Sequence, residues 1–150
     1  MQVVADRQDR AGRDERRFLA RIRLRDDQRR VAGADVSFDR FSPVLFAAVG
    51  VFDVASGALV ERVGARSVAR FPYVPGYLSF RELPPLLEAF AKLEARPDLV
   101  IADGHGRAHP RRFGIACHLG VALDLPTIGV AKSRLVGTHR AATGCRRIER

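Results

Sequence analysis

Cysteine, lysine and long apolar segments are scarce in this sequence, and each scarcity excludes a class of protein. Cys117 and Cys145 are the only cysteines, too few for a disulfide scaffold and without the spacing of a zinc site. We expect two reduced thiols in a cytoplasmic protein. No stretch approaches about eighteen apolar residues, and the N-terminus lacks an apolar segment after a basic start. Neither a membrane span nor a signal peptide is therefore predicted.

The charge is strongly basic and comes almost entirely from arginine. Lys and Arg total 26 against 17 Asp and Glu, a net charge of +9, and Lys92 and Lys132 are the only lysines. A chain this basic attracts polyanions, so nucleic acid is the expected partner, with a merely solubilising surface as the alternative. The 150 residues correspond to one domain, and nearly half of them are apolar, as in soluble globular proteins.

The order of hydrophobic patterns predicts a mixed α/β sheet flanked by helices. Between residues 31 and 38, apolar side chains alternate with Gly33, Asp35 and Ser37, which is the period of a strand. A meander of three antiparallel strands is predicted first, and the later strand–helix–strand order favours parallel pairing. The remaining strands are predicted over residues 44–54, 58–69, 98–103 and 127–131, and the helices over 10–30, about 81–95 and about 111–123.

The segment between the meander and the second helix carries turn and capping signals. Two prolines and a glycine make residues 71–77 a loop, because they cannot lie inside a strand ladder. Ser79 is predicted to cap the following helix, with Pro84 and Pro85 in its first turn.

Three acids stand where acids are energetically expensive. Asp35 lies in the first strand, Glu82 at the start of a helix, and Asp103 at the carboxyl end of a parallel strand, where α/β proteins bind ligands. Carboxylates that are buried together repel each other unless a cation neutralises them, and oxygen ligands suit Mg²⁺ or Mn²⁺. The alternative is that Asp35 caps a turn and Asp103 merely ends a strand.

The segment after Asp103 adds groups that suit a phosphate or a base. Gly104 and Gly106 allow backbone N–H groups to approach a ligand, and a helix beginning near Arg111 would aim its positive N-terminus at the same region. His109 is predicted to form a hydrogen bond or contact substrate. Lys132, directly after the last strand, places a point charge at the same sheet edge.

Three sequence blocks resemble the signatures of the endonuclease V family. They are Phe71-Pro-Tyr-Val-Pro-Gly-Tyr-Leu-Ser-Phe-Arg-Glu82, Asp103-Gly-His-Gly-Arg-Ala-His-Pro-Arg-Arg112 and Pro126-Thr-Ile-Gly-Val-Ala-Lys132, and Gly33-Ala-Asp-Val36 fits the family's first block. The resemblance covers roughly residues 30–137. It implies a ribonuclease H-like fold and an enzyme of DNA repair that cleaves the second phosphodiester on the 3′ side of deoxyinosine.

The resemblance also assigns roles to individual residues. It implies that Asp35, Glu82 and Asp103 are catalytic and bind Mg²⁺, for which Mn²⁺ can substitute, and that Lys132 contacts phosphate. Tyr73 resembles the wedge that fills the space left by a displaced base. A monomer that binds inosine-containing DNA or RNA is expected. The residues that resemble the lesion pocket are Gly76, Leu78, Gly104, Gly106, His109, Gly114 and Ile115.

The end of the chain departs from the family pattern. After Gly137 the residues lose both their periodicity and their likeness to the family, and a late Gly-His motif is missing. We therefore expect residues 1–150 to form a single endonuclease V-like domain that is incomplete at its C-terminus. Two alternatives stay open: a catalytically impaired remnant that still binds inosine-containing nucleic acid, and an inosine-specific ribonuclease.

Overall fold

The computed structural model describes residues 29–39 and 41–138 of the chain. The helix predicted over residues 10–30 lies outside these ranges apart from its last two positions, and Arg30 instead begins the first strand. The elements are β1 (Arg30–Phe38), β2 (Val44–Asp53), β3 (Leu59–Val68), α1 (Leu78–Phe90), β4 (Leu99–Asp103), α2 (Ile115–Leu123) and β5 (Thr127–Val130).

The five strands form one mixed sheet in the order β3-β2-β1-β4-β5. β1 pairs antiparallel with β2, and β2 with β3, whereas β1 with β4 and β4 with β5 pair in parallel. The predicted α/β fold, with a three-stranded meander beside parallel strands, is confirmed. Because β1 joins the two halves, its residues lie next to both the meander and the carboxyl edge of the parallel strands.

The core lies between the sheet and its two helices, which pack on the same face. The alternation predicted for β1 is confirmed, since Ala32 and Ala34 are buried while Asp35 and Ser37 are exposed. Apolar side chains of α1 and α2 cover these alanines and their neighbours in β2 and β4. On the opposite face several large apolar side chains are exposed among the described residues: Phe46, Phe52, Ile101, Ile128 and Val130.

Both helices begin at positions that differ from the predicted ones. α1 starts at Leu78, so Ser79 lies inside the helix and does not cap it. Tyr77 is the N-cap residue, and it makes no side-chain capping hydrogen bond. Pro84 and Pro85 consequently lie beyond the first turn, within the helix. α2 starts at Ile115 rather than near Arg111, because the preceding residues form a loop. No helix in the described part of the chain is long and apolar enough to cross a membrane.

A candidate carboxylate and base-binding site

The three predicted acids meet at the carboxyl edge of the parallel strands. Ala34 in β1 pairs with Ala102 in β4, so Asp35 and Asp103 follow directly on neighbouring strands. Glu82 approaches from α1, and all three line one cavity. The expectation that the acids are buried is correct only for Glu82, which is 8% exposed; Asp35 and Asp103 are exposed.

The Glu82 carboxyl is in an unfavourable electrostatic position. Burial, followed by the negative charges of Asp35 and Asp103, raises its pKa to about 7, and the Arg81 guanidinium partly opposes these causes. Both larger causes disfavour the ionised form. A cation bound between the acids would reverse this effect by neutralising the repulsion.

The donor chemistry suits a hard divalent cation. In residues 29–39 and 41–138, no group of three or more His, Cys, Asp or Glu side chains is arranged as a ready-made metal cluster. Mg²⁺ does not require such a cluster, because proteins usually hold it through one or two carboxylates together with water and substrate phosphate. Oxygen-only ligands that repel each other at one open cavity fit that mode of binding.

Two loops enclose this central cavity of about 420 Å³. We call residues 71–77 the Tyr73 loop and residues 104–114 the glycine loop. The cavity volume lies within the range of roughly 300–1,000 Å³ that small-molecule pockets occupy. Most of the predicted pocket residues line it: Tyr73, Gly76, Leu78, Gly104, His109, Gly114 and Ile115. Gly106 and Lys132 do not, and Pro75, Ser79, His105 and Leu135 line it although the sequence did not single them out as pocket residues.

The Tyr73 loop ends in a tight turn that leads into α1. Tyr77 N donates a hydrogen bond of 2.9 Å to the Val74 carbonyl, and Gly76 adopts a φ of 79°. Pro75 followed by a glycine with positive φ is the pattern of a type II turn. Tyr73, which directly precedes the turn, is 48% exposed. Its ring is therefore available to stack on a base.

A buried arginine fixes the other end of this loop. Arg81 donates to the Phe71 carbonyl at 2.9 Å and to the Ser42 carbonyl at 3.0 Å, and its guanidinium lies 5.2 Å from the centre of the Phe38 ring. It is 7% exposed, and its Nε has no hydrogen-bond partner. No role was predicted for Arg81 from the sequence. Its position beside Glu82, on the buried side of the helix, was the feature that could have indicated one.

The glycine loop uses its backbone amides internally. Gly104 N donates to the Val130 carbonyl at 2.8 Å, Gly114 N to Gly106 at 2.9 Å, and Ala116 N to His105 at 3.2 Å. The expected role of a helix N-terminus near Arg111 as an anion site is therefore not supported. The amides of Gly114, the N-cap residue of α2, and of Ala116 bond to carbonyls of the loop itself.

Main-chain atoms form one wall of the cavity, because no side chain fits there. Gly104 has a φ of 134°, and a Cβ at this position would lie 2.5 Å from Ile115 Cγ2. A Cβ on Gly114 would overlap the carbonyl group of His105. The two ends of the glycine loop therefore touch backbone to backbone, which only glycine permits.

His109 lies in this wall in its neutral form. Burial lowers the pKa of the imidazole, the charges of Arg111 and His105 lower it further, and a hydrogen bond with the Gly76 backbone acts in the opposite direction. Nδ1 accepts the Arg111 N–H at 3.3 Å, so the hydrogen-bond network assigns the ring proton to Nε2. His109 thus contacts the Tyr73 loop, as its predicted hydrogen-bonding role requires.

Lys132 lies beside the acids but on the open face of the sheet. It lines a second cavity that also includes Asp35 and Asp103. His105 Nε2 lies 2.9 Å from the carbonyl oxygen of Ser133, so the glycine loop is joined to the segment that carries Lys132. Lys132 is exposed and near the carboxylates, where a cation can attract phosphate.

A partly buried histidine contacts Ser79, one of the residues that line the cavity. His118 Nδ1 lies 3.3 Å from Ser79 Oγ, and its ring contacts Phe80 and Phe113. Burial lowers its pKa to about 4, so the imidazole is neutral in the folded protein. Ser79, 39 residues away in the sequence, was predicted to be a helix cap but contacts this imidazole instead.

These features define an α/β protein with a carboxylate site beside a base-sized cavity. The family model described as Endonuclease V matches residues 16–149, and the chain belongs to the endonuclease V family. The match extends beyond residues 30–137 on both sides.

Curated relatives carry the same family name. The chain is 56% identical over 110 residues to endonuclease V of Gloeobacter violaceus, which covers 72% of this chain and 45% of the relative. It is 57% identical over 118 residues to endonuclease V of Rhodospirillum centenum, covering 77% and 49%. The chain therefore spans about half the length of these relatives.

Solved structures of the family share the fold. Endonuclease V from Streptomyces avermitilis superimposes with a TM-score of 0.70 at 43% identity, covering 84% of this chain and 57% of that one. Endonuclease V from Ciona intestinalis, in complex with a 24mer DNA containing an inosine followed by a ribo-adenosine, gives a TM-score of 0.75 at 27% identity, covering 89% and 59%.

Proposed function

We propose that this chain acts as a Mg²⁺-dependent endonuclease on DNA containing deoxyinosine. It would cut the second phosphodiester on the 3′ side of the lesion, in the repair of deaminated bases. One observation carries the proposal: the buried Glu82 carboxyl, Asp35 and Asp103 share a cavity with the exposed ring of Tyr73. A site for phosphate chemistry and a site for a displaced base thus lie side by side.

The three acids are the proposed ligands of the cation. Their oxygens suit Mg²⁺, and a neighbouring positive charge would relieve the repulsion that contributes to the raised pKa of Glu82. When bound, Mg²⁺ would neutralise charge on the phosphate and on the leaving oxygen. Lys132 adds a second positive charge on the same side of Asp35 and Asp103, where the phosphate backbone would pass.

The central cavity is the proposed receptor for the displaced base. An enzyme that examines a base outside the stack needs a stacking group to offset part of the cost of unstacking, and Tyr73 is placed for that role. The pocket wall presents backbone groups of the glycine loop and the neutral His109 ring. Hydrogen bonds from such groups can separate hypoxanthine from adenine, because adenine carries an amino group where hypoxanthine carries a carbonyl. The inosine-containing DNA bound by the Ciona relative supports this proposal.

The test is cleavage of an end-labelled oligonucleotide that contains a single deoxyinosine. We expect nicking in Mg²⁺ that EDTA abolishes, a product whose length places the cut at the second phosphodiester, and no nicking of the matched deoxyadenosine strand. Equal cleavage of both strands would contradict base recognition by the cavity. Selective binding of the inosine strand without nicking would restrict the function to recognition.

A parallel substrate decides between DNA and RNA. The same sequence is tested with ribonucleotides throughout and with a single ribonucleotide after the inosine. We expect the all-deoxy strand to be cut at least as fast as either of them. Cleavage confined to the ribonucleotide-containing strands would make the chain an inosine-specific ribonuclease that uses the same carboxylates.

A further inference from the structure

A side-chain pair spans the two loops that enclose the central cavity. Arg111, in the glycine loop, donates a hydrogen bond of 2.6 Å from its NH2 to the hydroxyl of Tyr77, at the end of the Tyr73 loop. The same guanidinium lies 4.6 Å from the centre of the Tyr77 ring. Neither residue belongs to the predicted site.

The contact is specific for these two residue types. Tyr77 is only 7% exposed, so its hydroxyl needs a partner, and Arg111 offers one while stacking on the ring. A planar guanidinium can donate and stack at once, which a lysine ammonium cannot do with the same geometry. A hydrogen bond from a charged donor is also stronger than a neutral one.

Fixing Tyr77 fixes the turn that carries the wedge residue. The Tyr77 N–H closes the turn onto Val74, directly after Tyr73, and Tyr77 is also the N-cap residue of α1, whose second turn presents Glu82. On the other loop, the backbone N–H of Arg111 donates to His109 in the cavity wall. The pair therefore joins the wedge side of the cavity to its base-reading side.

We propose that Arg111 and Tyr77 form a latch that positions Tyr73 over the central cavity and thereby sets the discrimination between inosine and adenine. The role in discrimination rests on the proposed function, whereas the positioning of Tyr73 does not. Both are positioning residues, because they hold Tyr73 and His109 and line no part of the cavity themselves. The latch acts through the contact between Arg111 and Tyr77 and not through attraction of the Arg111 charge to phosphate. This distinguishes it from a nonspecific contact of an arginine with the nucleic-acid backbone.

The first measurement needs no substrate. The sequence contains no tryptophan, so Tyr73→Trp supplies a single tryptophan at the wedge position, whose fluorescence can be excited selectively. Acrylamide quenching is compared in this parent and after Tyr77→Phe, Arg111→Met and both together. We expect each single change to raise the quenching constant about twofold and the double change to add little, since residues in contact do not act additively.

The second measurement tests discrimination in the natural Tyr73 background. Binding of matched deoxyinosine and deoxyadenosine oligonucleotides is followed with Ca²⁺ in place of Mg²⁺. Tyr77→Phe and Arg111→Met should each lower the ratio of the two affinities about tenfold, the equivalent of one lost hydrogen bond to a charged group. Arg112→Met, which removes the neighbouring charge of the same loop, should weaken both affinities together and leave their ratio unchanged.

The outcomes separate the latch from the proposed function. Unchanged quenching after Tyr77→Phe and Arg111→Met overturns the latch, as do additive effects in the double variant. If the unaltered chain does not discriminate inosine from adenine, the proposed function fails, while quenching still decides whether the pair positions the loop. Altered quenching with unaltered discrimination overturns the specificity role. Tyr77→Phe retains the buried ring, and Arg111→Lys replaces Arg111→Met if thermal unfolding shows that the latter does not fold.

Discussion

The two ends of β4 carry acids in opposite surroundings. Just before the strand, Asp98 accepts the backbone N–H groups of Arg29 and Arg30, both at 2.9 Å, and these bonds hold the pKa of its carboxyl below the usual range. At the other end, Asp103 lies beside Glu82 of α1, which no hydrogen-bond donor in the described part of the chain reaches. Burial and the two neighbouring acids raise the pKa of Glu82 to about 7.

The difference separates a structural carboxylate from the carboxylates proposed to bind a cation. Asp98 is satisfied by the main chain, so it fixes the strand start and requires nothing further. Asp35, Glu82 and Asp103 face each other instead, and their mutual repulsion is relieved by a bound cation or by protonation of Glu82. Perturbed carboxyls in a cavity are typical of functional sites for this reason.

The largest expected effect is on activity, and it separates the two ends of β4 directly. Asp103→Asn should lower inosine-directed nicking more than about 100-fold, because even changes that only reach a metal ligand indirectly cost 10–100-fold. Asp98→Asn makes the same chemical change just before the same strand and should leave the rate within about twofold. Its effect should appear in thermal unfolding, where an exposed acid contributes less than about 1 kcal/mol.

Initial nicking rates at saturating Mg²⁺, measured for both variants, decide this comparison. Undiminished nicking by Asp103→Asn sinks the metal-site assignment. An equal loss in both variants would show that the effect arises from the fold of β4 and not from the carboxylate site.

The next effect is on stability and concerns Glu82. Its folded pKa of about 7 lies above the ordinary 4.5, so the native state binds this proton more tightly than the unfolded chain does. The contribution is therefore fully present below pH 4.5 and is lost as the pH rises to 7. Glu82→Gln should raise the free energy of unfolding at pH 8 on the order of 3 kcal/mol while abolishing nicking.

Urea unfolding at pH 8 in EDTA measures this gain. Glu88→Gln is the matched control, because it removes the same charge from an exposed position of α1. A Glu82→Gln protein that is no more stable than the control would show that the three acids do not repel each other as the structure indicates.

A smaller effect is expected at His118, where burial acts without charged neighbours. Its folded pKa of about 4 lies below the ordinary 6.5, so its contribution is present above pH 6.5 and is lost as the pH falls to 4. Between pH 7 and pH 5, the free energy of unfolding of the unaltered chain should therefore fall by about 2 kcal/mol more than that of the His118→Gln variant. Parallel pH profiles of both proteins would fail to support this if their slopes were equal.

Glu82 and His118 oppose each other over the same pH range. On acidification, stability gained through Glu82 offsets stability lost through His118, so the unaltered chain should show little net slope from these two groups between pH 4.5 and 6.5. Each single variant removes one side of the balance and exposes the slope of the other.

The sheet was predictable because its signals are local. The alternation of Ala32 and Ala34 with Asp35 and Ser37 assigned the faces of β1, and the strand–helix–strand order assigned parallel pairing to β4 and β5. The position of Asp103 at the carboxyl edge followed from topology alone. The meeting of the three acids was a consequence of those same rules.

The cavity supports were not predictable, because they depend on contacts between distant residues. Arg81 bonds to carbonyls 10 and 39 positions away, and the Ser79 hydroxyl meets His118 rather than its own helix start. No periodicity encodes such pairs. α2 starts at Ile115 for a related reason, since the amides of Gly114 and Ala116 bond to His105 and Gly106 in the glycine loop.

The main-chain wall of the cavity constrains how this site can evolve. A replacement at Gly104 meets Ile115, and one at Gly114 meets the His105 carbonyl, so neither position tolerates a side chain while the loop keeps its path. Single substitutions at these two positions therefore cannot make small changes to the shape of that wall. A change in base preference would therefore have to come from side chains that line the cavity elsewhere, such as Leu78. One wall of the pocket is fixed by its backbone geometry, whereas the rest can change by substitution of its side chains.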